Sequence, residues 1–331
     1  MFSSLSGYGR SIGARVTLAL ALAVAPFAAQ PQQANRLYRI GVLNEAWAAN
    51  HPTVEGLRTG LRELGFEEGR HVAFDIRFTQ GKPEATPTAA AELVKAGVDL
   101  LFTSNEAATL AVKAATQKLP VVFTLVGDPI TVGIVTQLAR PGGNVTGISS
   151  LGSDLMPKRV EVLKTLFPAV KRVWYIHDAT DPAGAAALAK GAEAAFRLGI
   201  EFVPAGIVAA PDVATVLATV KAGDGLLAPD QDAFDISAAI LQKSLASRIP
   251  AVFPSALWTE HGGLASYGAD YYAQGVQAAR LVAKILRGAR VGDLPVEGAD
   301  KIDLAVNLKT ASVLGLPVPR KILLRADTIR R

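Results

Sequence analysis

The sequence contains no cysteine, which excludes several kinds of chemistry at once. Without cysteine there is no disulfide, no thiolate metal ligand, no cysteine nucleophile and no lipoprotein anchor, since that anchor is attached to a cysteine. Charge is also scarce, because charged residues make up 19% of the 331 residues and form no long run of one sign. A net charge of +5 without a clustered basic face argues against a nucleic-acid partner.

Motifs for catalysis and metal binding are missing as well. The four histidines are scattered without metal-ligand spacing, and no H-E-x-x-H, G-x-S-x-G or G-x-x-x-x-G-K-[ST] motif occurs. We therefore expect a protein that is not an enzyme, with no catalytic residue, no metal site and no cofactor.

The first 34 residues have the pattern of an export signal. Arg10 and Arg15 precede an apolar run over residues 16–25, and small residues follow it. The run is too short to span a bilayer, which takes about 20 residues. We expect residues 1–34 to be a cleaved signal peptide and the rest of the chain to be periplasmic. An uncleaved anchor or a buried helix is the alternative, and the cleavage point stays open.

From residue 37 onward, short apolar runs alternate with segments of helical periodicity. Residues 38–43 form an apolar run typical of a buried strand, and residues 52–65 place four apolar side chains on one helical face. The same rhythm recurs in the second half, from residue 172 to 288. This alternation predicts an α/β protein with two Rossmann-like lobes, parallel sheets flanked by helices, and a ligand cleft between the lobes.

Polar residues follow many of the predicted strands at their carboxyl ends, where open parallel sheets bind ligands. Taken one at a time, such residues are explained by helix capping. Facing one cleft together, they are candidates for ligand binding, and helix N-termini there also attract anions. The candidate ligand-binding residues are Asn44, Glu45, Trp47, Thr103, Ser104, Asn105, Asp128, Pro129, His177, Asp178, Asp230, Tyr267 and Asp270.

The segment around Asp128 links two short extended runs. Asp128 ends the apolar run VVFTLVG, and Pro129 is expected to begin the next helix. Pro141, Gly142 and Gly143 are then expected to let the chain cross to the other lobe, so that the two runs of alternation separate near Gly142.

Several sequence blocks are similar to a known family. Residues 128–147 contain DP followed by RPGGNVTG, and residues 264–279 read LASYGADYYAQGVQAA. With these blocks, the chain resembles ABC-transporter substrate-binding proteins whose better-understood members bind aromatic amino acids such as tryptophan. The resemblance covers about residues 38–329. It implies a periplasmic binding protein type 1 fold, in which a small solute binds between two lobes that close by hinge motion.

The resemblance also implies the domain division and the partners. The first lobe is expected to comprise residues 37–147 plus about 270–288, and the second residues 148–269 plus about 289–331. The expected partners are a small-molecule solute, namely an amino acid or a related compound, and an ABC permease in the inner membrane. The protein itself is expected to be a monomer. The expected contacts are Asp128, Asp230 or Asp270 for the ligand amine, Ser104, Asn105 or helix N–H groups for its carboxylate, and Tyr267, Tyr271 or Trp47 for its apolar part.

Other functions remain open from the sequence alone. A ligand-binding module of a sensor or receptor would share every feature above. An extracytoplasmic α/β enzyme would share the fold, since fold does not fix function, but it would need a catalytic constellation. A LacI-like repressor would need a helix-turn-helix before residue 38, and the export signal argues against it.

Overall fold

The computed structural model of the protein describes residues 36–44, 50–80, 82–230 and 235–331. The predicted signal peptide and two candidate site residues, Glu45 and Trp47, lie outside these ranges. Leu37–Arg331 is one compact unit. In the part of the chain described, we find no helix with both the length and the apolar character that crossing a bilayer requires.

The strands of the described residues form two sheets. They are β1 (Tyr38–Asn44), β2 (Val72–Phe78), β3 (Leu100–Ser104), β4 (Val121–Val126), β5 (Val145–Ser149), β6 (Arg172–Asp178), β7 (Glu201–Ile207), β8 (Asp224–Leu227), β9 (Ala251–Phe253), β10 (Ala265–Ala269), β11 (Glu297–Gly298), β12 (Ile302–Asn307) and β13 (Thr328–Arg330). The first sheet has the order β11-β5-β4-β3-β1-β2, and the second sheet has the order β13-β12-β10-β9-β8-β6-β7. Neighbouring strands are parallel except β10 and β12, which are antiparallel.

Helices connect and cover the strands. They are α1 (Pro52–Glu63), α2 (Thr86–Lys95), α3 (Glu106–Ala115), α4 (Gly152–Leu166), α5 (Gly184–Arg197), α6 (Ala210–Thr219), α7 (Ile236–Ser247), α8 (Leu257–Glu260), α9 (Tyr271–Leu286), α10 (Leu308–Leu314) and α11 (Arg320–Leu323), with single 3-10 turns at Pro83–Ala85 and Val291–Asp293. The predicted strand–helix alternation is confirmed, because parallel strands need such crossovers.

The central strands of each sheet are buried on both faces, which explains why they are mostly apolar. Successive residues of a strand point to opposite faces. In β3, Leu101 and Phe102 are both fully buried but belong to two different core clusters of the first sheet. In β8, Leu226 and Leu227 are likewise divided between two clusters of the second sheet. The predicted α/β class with helices on both faces is therefore confirmed.

The chain passes between the two sheets at residues 149–152, 269–271 and 298–302, because β5, α9 and β11 pack with the first sheet while α4, β10 and β12 pack with the second. The predicted crossing at Pro141, Gly142 and Gly143 is one strand too early, since the following β5 still pairs with β4. Residues 297–298 pair with β5, although the prediction groups them with the second lobe. The proposed lobe boundaries stay a prediction.

The local structure around the first crossing differs from the prediction in two ways. Residues 129–133 form turns and not the helix expected after Pro129. The side chain of Asp128 accepts the N–H of Thr131 at 3.1 Å, and Gly133 with φ 72° ends the turn. Sequence analysis also assigned no element to the segment that forms α4, where Pro157 lies inside the helix and obscures its pattern.

Helices α1 and α9 of the first sheet pack at backbone distance. A Cβ added to Gly275 would lie 2.0 Å from the carbonyl oxygen of Thr53, and one added to Gly56 would lie 2.0 Å from that of Tyr272. Only glycine fits such an approach. This packing fixes the first turn of α9, which carries side chains of the candidate site described next.

Candidate functional site

A small cavity lies where the carboxyl ends of strands from both sheets meet. Its volume is about 20 Å³, which is enough for one water molecule but not for a larger solute. Its walls come from loops after strands of both sheets, from the β10–α9 crossing and from α4. The lining residues are Leu125, Ser150, Arg159, Asp230, Pro254, Ala269 and Tyr271.

An ion pair between Arg159 and Asp230 forms one wall. The guanidinium donates from Nη1 and Nη2 to the two carboxylate oxygens, each at 2.7 Å, and from Nε to the carbonyl oxygen of Tyr267 at 2.8 Å. The side chain of Arg159 is 1% exposed, while that of Asp230 is 20% exposed. Burial opposes the charge of Arg159, but Asp230 outweighs this effect and raises the pKa of the guanidinium. Both partners line the cavity, and the carboxylate is the more exposed of the two.

The position of Asp230 depends on α4. Arg159 lies on the buried side of this helix with Met156, Val160 and Leu163. At the start of α4, a Cβ on Gly152 would lie 3.0 Å from the carboxylate carbon of Asp230, so the absence of a side chain lets the carboxylate approach. A helix N-terminus favours a negative charge. Arg159 and the start of α4 together hold Asp230 in one orientation.

The opposite wall contains a strained turn at Leu125. This residue has φ 57°, a left-handed conformation that is costly for leucine, and it lies in an irregularity of the β4–β5 pairing between Phe123 and Val126. Its N–H donates to Oε1 of Gln274 at 3.2 Å. Gln274 on α9 is 1% exposed. The side chain thus replaces the partner that a regular strand would have offered.

A chain of polar groups lies behind Tyr271. Ser104, at the end of β3, contacts the hydroxyl of Thr53 at 2.9 Å, and that hydroxyl contacts Nδ1 of His51 at 2.8 Å. The His51 ring stacks on Tyr271 with the ring centres 5.8 Å apart. Burial lowers the pKa of His51 to about 4, so its imidazole is neutral at ordinary pH. This arrangement fixes an aromatic ring at the cavity wall.

Carboxylates that follow strands of both sheets lie close enough to influence one another. Burial, together with the charges of Asp181 and Asp128, raises the pKa of Glu106 to about 7. Glu106 begins α3 on the first sheet, whereas Asp181 lies between β6 and α5 on the second. Ala183, next to Asp181, packs against a core cluster of the first sheet. The two sheets are therefore in contact here.

Among the predicted site residues that the structure describes, Asp230 lines the cavity. Several others serve local structure, as the capping alternative predicted. Asn105 and Asp270 accept N–H groups in the first turns of α3 and α9, both at 2.9 Å. Asp178 accepts the N–H of Thr180 at 2.7 Å.

The remaining predicted residues lie around these groups. The side chain of Thr103 contacts that of Thr109 at 2.8 Å, and His177 contacts the carbonyl oxygen of Asp178 at 2.9 Å. Asn44 is paired in register with Ser104, and both are buried. Pro129 is buried in the turn after β4. Whether these residues contact a ligand stays a prediction.

Sequence reasoning missed Arg159, Leu125 and Gln274. Arg159 had a signal, because it is a charged residue on the apolar face of an amphipathic helix, but the helix itself was not recognised. Gln274 also lies on the inner face of its helix, one turn after Tyr271. Leu125 gave no signal, since its left-handed backbone is a consequence of tertiary structure.

A second, larger groove is lined mostly by residues of two helices of the first sheet. It has a volume of about 530 Å³ and runs beside α1 and α9, with Leu64 and Val276 among its apolar residues. Its edge carries the ion pair between Lys301 and Asp270, at 2.5 Å. We take the smaller cavity as the functional site because strands of both sheets contribute to its walls near their carboxyl ends.

The comparisons with known proteins agree with this architecture. The sequence profile of the family described as ABC transporter substrate binding protein matches residues 47–330. The tyrosine-binding protein of Clostridioides difficile (strain R20291) is 26% identical over 272 residues, which are 80% of this chain and 78% of that protein.

Two solved structures are similar over 89% of this chain. The ABC domain in complex with L-Trp from Streptococcus pneumoniae is 26% identical with a TM-score of 0.79, and 100% of its chain is covered. A substrate-binding protein with adhesive properties from Clostridium difficile, in its ligand-free, open structure, is 25% identical with a TM-score of 0.67 and is covered to 99%. The predicted type 1 periplasmic binding fold is confirmed. Because the family profile spans nearly all of the compact unit, the chain belongs to the ABC transporter substrate-binding protein family.

Proposed function

We propose that this protein captures an aromatic amino acid between its two sheets and delivers it to an ABC permease in the inner membrane. The family supports a binding role, and a tyrosine-binding relative and an L-Trp complex support the ligand class. The export-signal pattern supports a periplasmic location, where such a protein meets the permease.

The observation that carries the proposal is the carboxylate of Asp230 in a cavity between the sheets. Arg159 and the start of α4 hold this carboxylate, while its side chain keeps 20% exposure. An ammonium group is a suitable partner, since charge-assisted hydrogen bonds are the strong ones. Tyr271, stacked on His51, supplies an aromatic surface for the ligand side chain.

Hinge motion is part of the proposal. The cavity of about 20 Å³ cannot admit an amino acid unless its walls separate. At nearly equal identity, the chain is more similar to the L-Trp complex, with a TM-score of 0.79, than to the open structure, with 0.67. We take the three crossings at residues 149–152, 269–271 and 298–302 as the hinge about which the walls separate.

The proposal is tested by thermal unfolding with single solutes, after refolding has removed any co-purified ligand. L-Tyrosine or L-tryptophan at 100 times its dissociation constant stabilises the native state by about 2.7 kcal/mol. Stabilisation by sugars or nucleosides with none by amino acids would overturn the ligand class.

A pair of matched variants tests the site itself. Asp230→Asn is expected to weaken binding about tenfold or more, because it removes the charge that pairs with the ammonium. Asp128→Asn makes the same chemical change at a carboxylate that is not among the residues lining the cavity, and we expect less than a threefold effect. Equal losses in both variants would remove Asp230 from the site.

A further inference from the structure

Gln274 has a buried donor without a partner. Its side-chain Oε1 accepts the N–H of Leu125 at 3.2 Å. Its Nε2 is buried and makes no hydrogen bond with the described residues, and the residue as a whole is 1% exposed. Leaving a buried donor without a hydrogen bond destabilises the folded state, so a partner is expected in the functional state.

The orientation of this amide is fixed by Leu125. A backbone N–H is a donor, so the amide atom facing it must be the oxygen. Turning the amide over would place two donors against each other. The Nε2 group is therefore directed away from Leu125 and stays available.

The amide lies directly behind the wall of the cavity. Leu125, which it contacts, lines the cavity, and so does Tyr271. Gln274 follows Tyr271 by three residues on α9, and residues three apart share a helix face. Asp230 reaches the same cavity from the second sheet. The cavity therefore suits a ligand with a hydrogen-bond acceptor on the first-sheet side and an ammonium group beside Asp230. An amino acid has both, in its carboxylate and its amine.

We propose that Gln274 is a specificity-determining residue whose Nε2 donates to the carboxylate of the bound amino acid. This inference rests on the proposed function. It explains why a glutamine is buried here, since one end of its amide holds the strained turn of Leu125 and the other end recognises the ligand. A zwitterion held between Gln274 and Asp230 also links the two sheets, which couples recognition to closure.

The test compares an amino acid with its amide. Affinities for L-tyrosine and L-tyrosinamide, and for the tryptophan pair, are measured by calorimetry at pH 6, where both amines carry a proton. The protein is expected to prefer the acid by about tenfold or more, the value of a hydrogen bond to a charged group. In Gln274→Met this preference is expected to fall to about twofold or less.

Gln277→Met is the matched control. Gln277 is a second buried glutamine of α9, 4% exposed, and its amide already bonds Glu297, Gly298 and Asp300. Its loss should weaken both ligands of a pair equally. If Gln274→Met does not fold, Gln274→Glu, which keeps an acceptor for Leu125, takes its place with the same expected loss of preference.

The outcomes separate the two proposals. Binding of neither member of a pair overturns the proposed function. Equal binding of acid and amide by the unmodified protein overturns the inference on Gln274 and leaves amino-acid capture standing. An equal loss for both ligands in Gln274→Met also overturns it, because a residue that only held Leu125 would act on both alike.

Discussion

The ion pair of Arg159 and Asp230 gives the sharpest prediction on stability. Replacing Arg159 by Met removes three hydrogen bonds of 2.7 to 2.8 Å and leaves a carboxylate in the cavity wall. Breaking a buried pair costs about 3–5 kcal/mol. Because Asp230 keeps 20% exposure, water solvates part of its charge, and we expect a loss of about 2–3 kcal/mol.

The second single variant and the double variant complete the cycle. Asp230→Asn leaves the guanidinium in a site that is 1% exposed, so we expect a loss of about 3 kcal/mol or more. The double variant contains neither charge. Its loss of stability should be smaller than the sum of the two single losses by about 2 kcal/mol, because each single variant leaves one charge without its partner.

The assay is urea unfolding followed by circular dichroism. A change in midpoint at constant slope reports stability. A coupling energy below about 0.5 kcal/mol, the value typical of independent sites, would refute the argument that Arg159 holds Asp230. The same variants assayed for binding would then be expected to act independently as well.

Three further predictions follow from the geometry around the site. Burial and the charges of Asp181 and Asp128 raise the pKa of Glu106 to about 7, so protonated Glu106 stabilises the folded state. This stabilisation is full below the pKa that Glu106 has in the unfolded chain, and it is lost as pH rises through about 7. The free energy of unfolding of Glu106→Gln, relative to that of the unmodified protein, should therefore rise by roughly 1 kcal/mol as pH rises from 4.5 to 7.5, after allowance for partial exposure. Parallel curves of melting temperature against pH for the two proteins would contradict this. Gly275→Ala should destabilise the protein by about 1–3 kcal/mol in urea unfolding, because its Cβ would overlap Thr53, and an unchanged midpoint would show that α1 and α9 separate easily. Since the pKa of His51 is lowered to about 4, amino-acid affinity should show no step near pH 6.5, and a step that disappears in His51→Asn would count against a neutral ring behind Tyr271.

The fold was largely predictable because periodicity reports burial. In β1 and β3 the apolar run reflects a strand covered on both faces, and in α1 the spacing of Val54, Leu57 and Leu61 reflects one buried stripe. Helix α4 was not predicted, since Pro157 and an inward-facing Arg159 interrupt the helical spacing of its apolar residues. The crossing after β5 was misplaced because a Pro-Gly-Gly turn indicates a change of direction but not which sheet the next strand joins.

The site was less predictable than the fold, because strand-end position does not separate caps from ligand contacts. Asp128, Asp230 and Asp270 all follow strands, yet their partners differ. Asp270 caps α9, Asp128 bonds Thr131, and Asp230 faces Arg159. Those partners are remote in sequence or depend on local turns, so three similar aspartates could be told apart only by the structure.

The most direct test of the account is a crystal structure of the protein grown with the aromatic amino acid that stabilises it most. The account predicts the ligand between the two sheets, with its ammonium within hydrogen-bond distance of the Asp230 carboxylate and its side chain against Tyr271. A ligand bound instead in the groove beside α1 and α9, with Asp230 still contacting only Arg159, would contradict it.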